Sequence, residues 1–95
     1  MSLDKKLPYG KISSPEDLGV LVRTHRKAQS ATQAEFASLC GVGVRFISDL
    51  ENGKPTIQLD KVLHVMRCLG LEVVIHPRGW QRNAQAMQSG KDVGK

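Results

Sequence analysis

Apolar residues near the start of the chain recur at helical spacing. Ser14 stands before Pro15, and two acidic residues follow, which is typical of a helix start because Ser caps free backbone donors and Pro fits the first helical position. The apolar stripe that follows, at three- and four-residue spacing, consists of Leu18, Leu21, Val22 and His25. This pattern predicts a first helix that ends near Gln29.

Two shorter helices are predicted next. Thr32 and Glu35 have the spacing of a capping box, in which each side chain bonds the other residue's backbone N–H, and Gly41 ends this helix within about two turns. A glycine-rich turn over 41–43 leads to the third helix. Its apolar positions are Phe46, Ile47 and Leu50, and Asn52–Gly53 ends it.

A fourth helix and one β-rich run complete the pattern. Pro55–Thr56 predicts the start of the helix, with Thr56 as N-cap, and Gly70 predicts its end. The apolar stripe of this helix consists of Leu59, Val62, Leu63, Met66 and Leu69. Residues 71–76 are rich in β-branched residues and stop at Pro77, which indicates a strand. We therefore expect a flexible arm over 1–11, one domain over 12–77 and a disordered tail over 78–95.

The composition of the chain indicates which class of partner it binds. A chain of 95 residues can form one domain with a modest core. Fourteen Lys and Arg against nine Asp and Glu give a formal charge of +5, which favours a polyanionic partner such as nucleic acid. The chain shows no signal peptide and no apolar span, and its two cysteines lack CxxC spacing, so we expect a reducing, cytoplasmic setting without a membrane partner.

The two short helices are the candidate functional element. Two helices joined by a short turn containing Gly have the geometry of a helix-turn-helix, whose second helix enters the DNA major groove with its first turn toward the bases. A first turn carrying Val44 and Arg45 suits that position better than it suits a core. Gly43 leaves the backbone free to approach a phosphate, where a helix N-terminus offers unpaired N–H donors.

The run LVRTHRKAQSATQAEFASLCGVGVRFISDLENGKP resembles the DNA-binding domain of the Cro/C1 (XRE) family of repressors. The residues that carry the resemblance are Arg26, Thr32–Glu35, Ala37, Gly41–Val42, Ile47–Ser48 and Leu50–Lys54. The continuation GKPTIQLDKVLHVMRCLGLEVVI is similar to HipB-type antitoxins, which act with a HipA-type kinase toxin. The resemblance implies an all-α, lambda-repressor-like domain of four to five helices, with one short C-terminal strand that pairs across a dimer.

The resemblance also implies roles for individual residues. The base-reading positions are Val44, Arg45, Ser48 and Asp49. The residues expected at backbone phosphates are Gln33, Gly43, Asn52 and Lys54. Gln33 is also expected to orient the first residues of the third helix. Arg26 and Glu51 match a structural ion pair between the first and third helices.

Three residues depart from the commonest pattern of this family. Gly43 stands where Ser or Thr is usual, so a helix cap and a hydroxyl contact to phosphate are missing. Phe46 replaces a small residue, and it either tucks inward or touches a thymine methyl. His25 occupies a normally apolar core position. The first two departures bear on the operator sequence, and the fold is expected to tolerate all three.

The predicted strand requires a partner. A single strand in a helical monomer leaves a free edge, and pairing with its copy across a two-fold axis would remove that edge. The residues assigned to this dimer strand are Leu71, Val73, Val74 and Ile75. A homodimer would also set two recognition helices about one DNA turn apart, facing a palindromic operator. The alternative is an extended segment lying on the monomer surface.

The titratable residues give little support for an enzyme or a metal site. His64 and Cys68 lie four residues apart on one helical face, but a zinc site needs four ligands and no second pair is visible. We expect Cys40 and Cys68 to be small core residues, and we expect no cofactor. No Ser, His or Asp stands in a nucleophile-elbow or other triad context.

The sequence thus favours a DNA-binding repressor, the antitoxin of a HipA-type toxin controlling its own operon. A stand-alone regulator of the same fold is the nearest alternative. A further alternative is a module in which the helix-turn-helix docks a protein, and Gly43 and the acidic Asp49 in the groove-facing region keep this alternative open. Trp80, in the polar tail, either anchors a partner or folds back onto the domain.

Overall fold

The computed structural model describes residues 9–79, and within that range all regular structure is helical. The helices are α1 (Pro15–Ala28), α2 (Gln33–Cys40), α3 (Val44–Glu51) and α4 (Leu59–Cys68). The all-α prediction with four helices is confirmed for this range. Residues 1–8 of the predicted arm and 80–95 of the predicted tail, with Trp80, lie outside the described residues.

The starts of α1 and α2 are set by the predicted caps. Ser14 Oγ accepts a hydrogen bond from the Asp17 backbone N–H at 3.1 Å. Thr32 and Glu35 form both capping-box bonds, with lengths of 2.8 and 3.0 Å. At the other end of α2, Gly41 adopts a left-handed φ of 69°, which glycine accepts without a steric penalty.

One apolar core lies among the four helices. Its most deeply buried side chains are Val22 of α1, Ile47 and Leu50 of α3, and Val65 of α4. Helix α3 packs against both α1 and α2, and α2 also packs against α4. Because Ile47 and Leu50 direct one side of α3 inward, the opposite side of this helix remains at the surface.

The predicted start of the fourth helix is wrong by several residues. Thr56 is not an N-cap; Pro55 and Thr56 lie in a turn, and α4 begins at Leu59 after Gln58, whose side chain makes no capping bond. The chain leaves α3 through Gly53, with φ of 76°, and turns so that Ile57 packs against the core. The helix starts only after that contact.

The apolar stripe predicted for α4 divides into a buried and an exposed part. Val62, Met66 and Leu69 are buried as predicted, but Leu59 and Leu63 are exposed, and Val65 takes an unpredicted place in the core. The exposed pair faces a groove that the segment after α4 also lines.

Residues 71–77 form neither helix nor strand in the described part of this single chain. Val73, Val74 and Ile75 are exposed there, Ile75 to 90%. The predicted strand over 71–76 is therefore not formed by the chain alone, and its pairing with a second copy stays a prediction. Among the described helices, none is long and apolar enough to cross a membrane.

Candidate nucleic-acid interface

The turn between α2 and α3 sets the first turn of α3 at the surface. Gly43 is the N-cap of α3 and makes no side-chain capping bond, while its carbonyl accepts from the backbone N–H groups of Phe46 and Ile47. Val44 is about half exposed, and the side chain of Arg45 is 91% exposed. Two of the predicted base-reading residues therefore project from the start of this helix.

The last turn of α3 is bound to α1 by a buried carboxylate. The side chain of Glu51 has no exposed surface, and Arg26 approaches it with two guanidinium nitrogens. Arg26 Nε donates to Glu51 Oε2 at 2.6 Å and Nη2 donates to Oε1 at 2.9 Å, the bidentate geometry of a strong ion pair. These are the two residues that the family resemblance paired. Arg26 Nη1 also donates to the Ala31 carbonyl at 2.9 Å, so the same side chain connects the loop before α2 to α1 and α3.

Gln33 joins the same carboxylate from the first residue of α2. Its Nε2 donates to Glu51 Oε1 at 3.0 Å, so the amide is directed toward the last residue of α3. The expectation that Gln33 orients the first residues of α3 does not match this geometry. The reason is electrostatic, because a buried carboxylate attracts every donor within reach.

The charge state of this cluster follows from its contacts. Burial alone would raise the pKa of the Glu51 carboxyl, but hydrogen bonds from Arg26 and Gln33 and the charges of Arg26 and Arg23 hold it below its usual value. The hydrogen bond with Glu51 raises the pKa of Arg26, against the opposing effect of burial. Both groups therefore stay ionised near neutral pH.

A glycine allows α1 to reach the end of α3. A Cβ atom on Gly19 would lie 2.4 Å from the Glu51 carbonyl oxygen, closer than real Cβ contacts allow. Only glycine fits at this crossing, where the two backbones nearly touch. The contact holds α1 at one fixed position along α3, and the Arg26–Glu51 pair lies beside it.

On the exposed side of α3, one carboxylate lies between two cations. Asp49 Oδ1 lies 3.9 Å from Arg45 Nε, and its Oδ2 lies 3.6 Å from Lys54 Nζ. Ser48 is partly buried beside it. Phe46 is also partly buried and packs against the core, with Lys61 Nζ 5.8 Å from its ring centre, so the ring tucks inward. The four predicted base-reading residues therefore share one short helix, where Asp49 partly neutralises its neighbours.

Arg23 belongs to this region and was not among the predicted site residues. Its Nη2 donates to Asn52 Oδ1 at 3.4 Å, and its Nε lies 3.6 Å from Glu51 Oε1. Arg23 lies three residues before Arg26, so both share one face of α1. That spacing is the signal in the sequence that could have identified it. Asn52 and Lys54, two of the predicted phosphate contacts, are both exposed.

His25 fills its unusual position through polar contacts. Its Nε2 lies 3.1 Å from the Leu69 carbonyl oxygen and 2.9 Å from the Gln29 amide nitrogen. Its Nδ1 lies 2.8 Å from the Tyr9 hydroxyl oxygen. Both ring nitrogens are bonded, which explains how a histidine replaces an apolar residue. Within residues 9–79, no group of three or more His, Cys, Asp or Glu could hold a metal ion.

Similarity to known proteins identifies the family of this chain. A family model described as a helix-turn-helix domain matches residues 17–74. The uncharacterized HTH-type transcriptional regulator y4mF of Sinorhizobium fredii (strain NBRC 101917 / NGR234) is 50% identical over 72 residues, which cover 76% of this chain and 95% of that protein.

Two solved structures extend the comparison to DNA complexes. HipB in a complex with an O4 20-mer is 26% identical, with a TM-score of 0.67, over 74% of this chain and 99% of that one. A chain in the HipA–HipB–O2–O3 complex matches with the same identity, TM-score and coverage.

Proposed function

Because this chain belongs to the XRE-type helix-turn-helix family of DNA-binding proteins, we propose that it is a sequence-specific transcriptional repressor. It acts as a homodimer on a palindromic operator and works in the cytoplasm, at the nucleoid. Its finer role is that of an antitoxin, which represses its own operon and binds a HipA-type kinase toxin.

The observation that carries this proposal is the contrast along α3. The first turn exposes Arg45 almost fully, while the last turn is bound to α1 and α2 through Glu51. A helix held at one end and free at the other can enter the major groove without shifting the core. Arg45 is then the main reader, because Arg to guanine is the commonest specific base contact.

Phosphate contacts supply the orientation and much of the affinity. Gly43 contributes its N–H at the start of α3, and Lys54 contributes its ammonium group beyond the end of the helix. Asn52 accepts a hydrogen bond from Arg23, and we add Arg23 to the phosphate-facing set on the basis of this contact. The second N–H of the Gln33 amide completes the set. Binding should weaken steeply as salt rises.

The dimer rests on an exposed apolar surface. A groove of about 260 Å³ lies between α1, α4 and the C-terminal segment. The exposed apolar residues of α4 and this segment are Leu59, Leu63, Val73, Val74 and Ile75. A second copy would cover them and would pair the 71–76 segment with its symmetry mate, which removes the unpaired strand edge.

The toxin partner is supported by similarity to HipB, which occurs in a complex with HipA. The stand-alone regulator is the second candidate, and it is favoured by the relative y4mF, which is named as a transcriptional regulator. The two candidates share every residue role given above. They differ only in whether a kinase-like protein binds the dimer.

Selection of genomic fragments by the purified protein tests the proposal. We expect a palindrome upstream of the protein's own gene, lost from the Arg45→Ala selection and retained with Arg67→Ala. The control removes the same side chain from the last turn of α4, outside the helix-turn-helix. No enrichment over random DNA would leave only the protein-docking module. Co-purification of a kinase-like protein from the same operon would separate antitoxin from stand-alone regulator.

A further inference from the structure

The fold brings together two cysteines that are distant in the sequence. Cys40 is the last residue of α2 and Cys68 is the last residue of α4, two helices that pack against each other. His64 lies between them: its Nε2 is 2.7 Å from the Cys40 carbonyl oxygen and 3.6 Å from Cys68 Sγ. Neither cysteine is in a disulfide. This cluster has no part in the proposed DNA contacts.

We propose that Cys40 and Cys68 form an oxidation site, at which a hydroperoxide converts the two thiols into one intramolecular disulfide. The proposal is independent of the DNA-binding function. It replaces the expectation that both cysteines are only small core residues, since the fold places both residues around one imidazole nitrogen.

The surroundings assign different roles to the two sulfurs. Cys40 is buried, and burial together with the neighbouring Cys68 thiol raises the pKa of Cys40 to about 11, so it stays a thiol. Cys68 is partly exposed and can meet a small oxidant. The Cys40 carbonyl only accepts hydrogen bonds, so His64 Nε2 carries a proton and presents the same N–H to Cys68 Sγ. That donor stabilises negative charge on the attacking sulfur.

The reaction has two balanced steps. The Cys68 sulfur loses its proton and attacks the terminal oxygen of ROOH; an S–O bond forms, the O–O bond breaks, and ROH leaves with the proton, so Cys68 becomes a sulfenic acid. The Cys40 sulfur then attacks the Cys68 sulfur. An S–S bond forms, the S–O bond breaks, and the Cys40 proton leaves with the hydroxyl as water. The two thiols lose two electrons in total, which reduce the peroxide to ROH and water.

The cross-link would enclose the recognition helix. The chain between the two cysteines contains all of α3 and most of α4. Closing this loop restricts the unfolded chain and so stabilises the folded form, provided that the native geometry accepts the bond. We expect the thermal midpoint of the oxidised protein to be higher by about 5 °C.

The test treats the full chain with hydrogen peroxide, alkylates the remaining thiols and maps the products by mass spectrometry. We expect a single-chain product that has lost two hydrogen atoms, a Cys40–Cys68 cross-linked peptide, and full reversal by dithiothreitol. Cys68 sulfinic acid with Cys40 still free, or a disulfide between two chains, would overturn the proposal. A lower thermal midpoint of the oxidised form would do the same, because it would mean that the bond forms only in distorted molecules.

Three variants separate the roles. With Cys40→Ala, Cys68 should accumulate as sulfenic acid that dimedone traps. With Cys68→Ala, Cys40 should stay fully alkylatable after the same treatment once the protein is denatured. His64→Ala should slow the first step several-fold without changing the product, and an unchanged rate would contradict the role of its N–H.

Discussion

At its first turn, α3 carries an N-cap glycine without a side-chain bond and an almost fully exposed Arg45. At its last turn, the carboxylate of Glu51 is buried and accepts hydrogen bonds from Arg26 and Gln33. Eight residues thus combine a free end and a fixed end. In the proposed function, separate residues of one helix carry DNA recognition and folding, so a change at one end can leave the other intact.

Glu51→Ala should cause the largest loss, because it leaves the Arg26 guanidinium, with 12% of its side chain exposed, without its counterion. Removing one partner of a buried pair costs about 3–5 kcal/mol in the free energy of unfolding. Urea unfolding followed by circular dichroism measures it. A loss below about 1 kcal/mol would mean that water replaces the carboxylate and that this end of α3 is not fixed as described.

Gly19→Ala should destabilise the contact between α1 and the last turn of α3. The new methyl group would overlap the Glu51 carbonyl oxygen, so the helices must separate, at a cost of about 1–3 kcal/mol in the free energy of unfolding. The matched control is Val20→Ala on the exposed side of α1, expected to change stability by less than about 0.5 kcal/mol. Equal effects of the two variants would contradict the close crossing.

Arg45→Ala should weaken DNA binding and leave stability nearly unchanged, unlike the two variants above. We expect a loss of about 1–3 kcal/mol in binding to the operator, with unfolding changed by less than about 0.5 kcal/mol. Fluorescence anisotropy with operator and random duplexes measures the first, and urea unfolding the second. If both duplexes weakened equally, Arg45 would be a phosphate contact and the reading role would belong elsewhere on α3.

Acid should lower the free energy of unfolding reversibly and by less than Glu51→Ala does. A protonated Glu51 carboxyl keeps its volume and can still accept hydrogen bonds. The folded-state pKa of Glu51 lies below the ordinary 4.5. Its contribution to stability is therefore complete above the unfolded-state pKa and is lost as pH falls through the lower folded-state pKa. The free energy of unfolding, measured from ~pH 7 to ~pH 3, should fall less steeply for Glu51→Gln than for the wild type.

Gly43→Ser should give the smallest effect, and in the opposite direction. The position has extended backbone angles and open space for a side chain, so the hydroxyl can cap α3. We expect a gain of a few tenths of a kcal/mol in the free energy of unfolding. Thermal unfolding of the two proteins side by side measures it, and a loss of stability would show that glycine is needed at this turn.

Local signals made much of the fold predictable. The caps at Ser14 and Thr32 and the left-handed Gly41 depend only on residues close in sequence, and each lies where the pattern placed it. The start of α4 was missed because Ile57 packs into the core first, which is a tertiary contact. The exposure of Leu59 and Leu63 was missed for a related reason, since an apolar stripe does not reveal whether a helix or a second chain will cover it.

The contacts within the candidate site were predictable mainly through the family resemblance. That resemblance paired Arg26 with Glu51, which are 25 residues apart. It did not reveal that Gln33 donates to the same carboxylate, nor that Arg23 lies beside Asn52. Such contacts depend on the distance between helices, as does the convergence of Cys40 and Cys68 on His64. No spacing along the chain encodes those distances between helices; the three-residue spacing of Arg23 and Arg26 indicates only that both share one face of α1.

Asp49 has a consequence for the ionic atmosphere of the DNA. Arg45 and Lys54 carry two positive charges, but the carboxylate between them leaves one net charge for the phosphates. Fewer condensed counterions would then leave the duplex on binding than the number of cations on this surface suggests. Random DNA would lose the most affinity, because counterion release accounts for almost all of its binding. An operator that engages Arg45 at a base would lose less affinity. One acidic side chain can thus raise selectivity by lowering the entropy gain available to every wrong site.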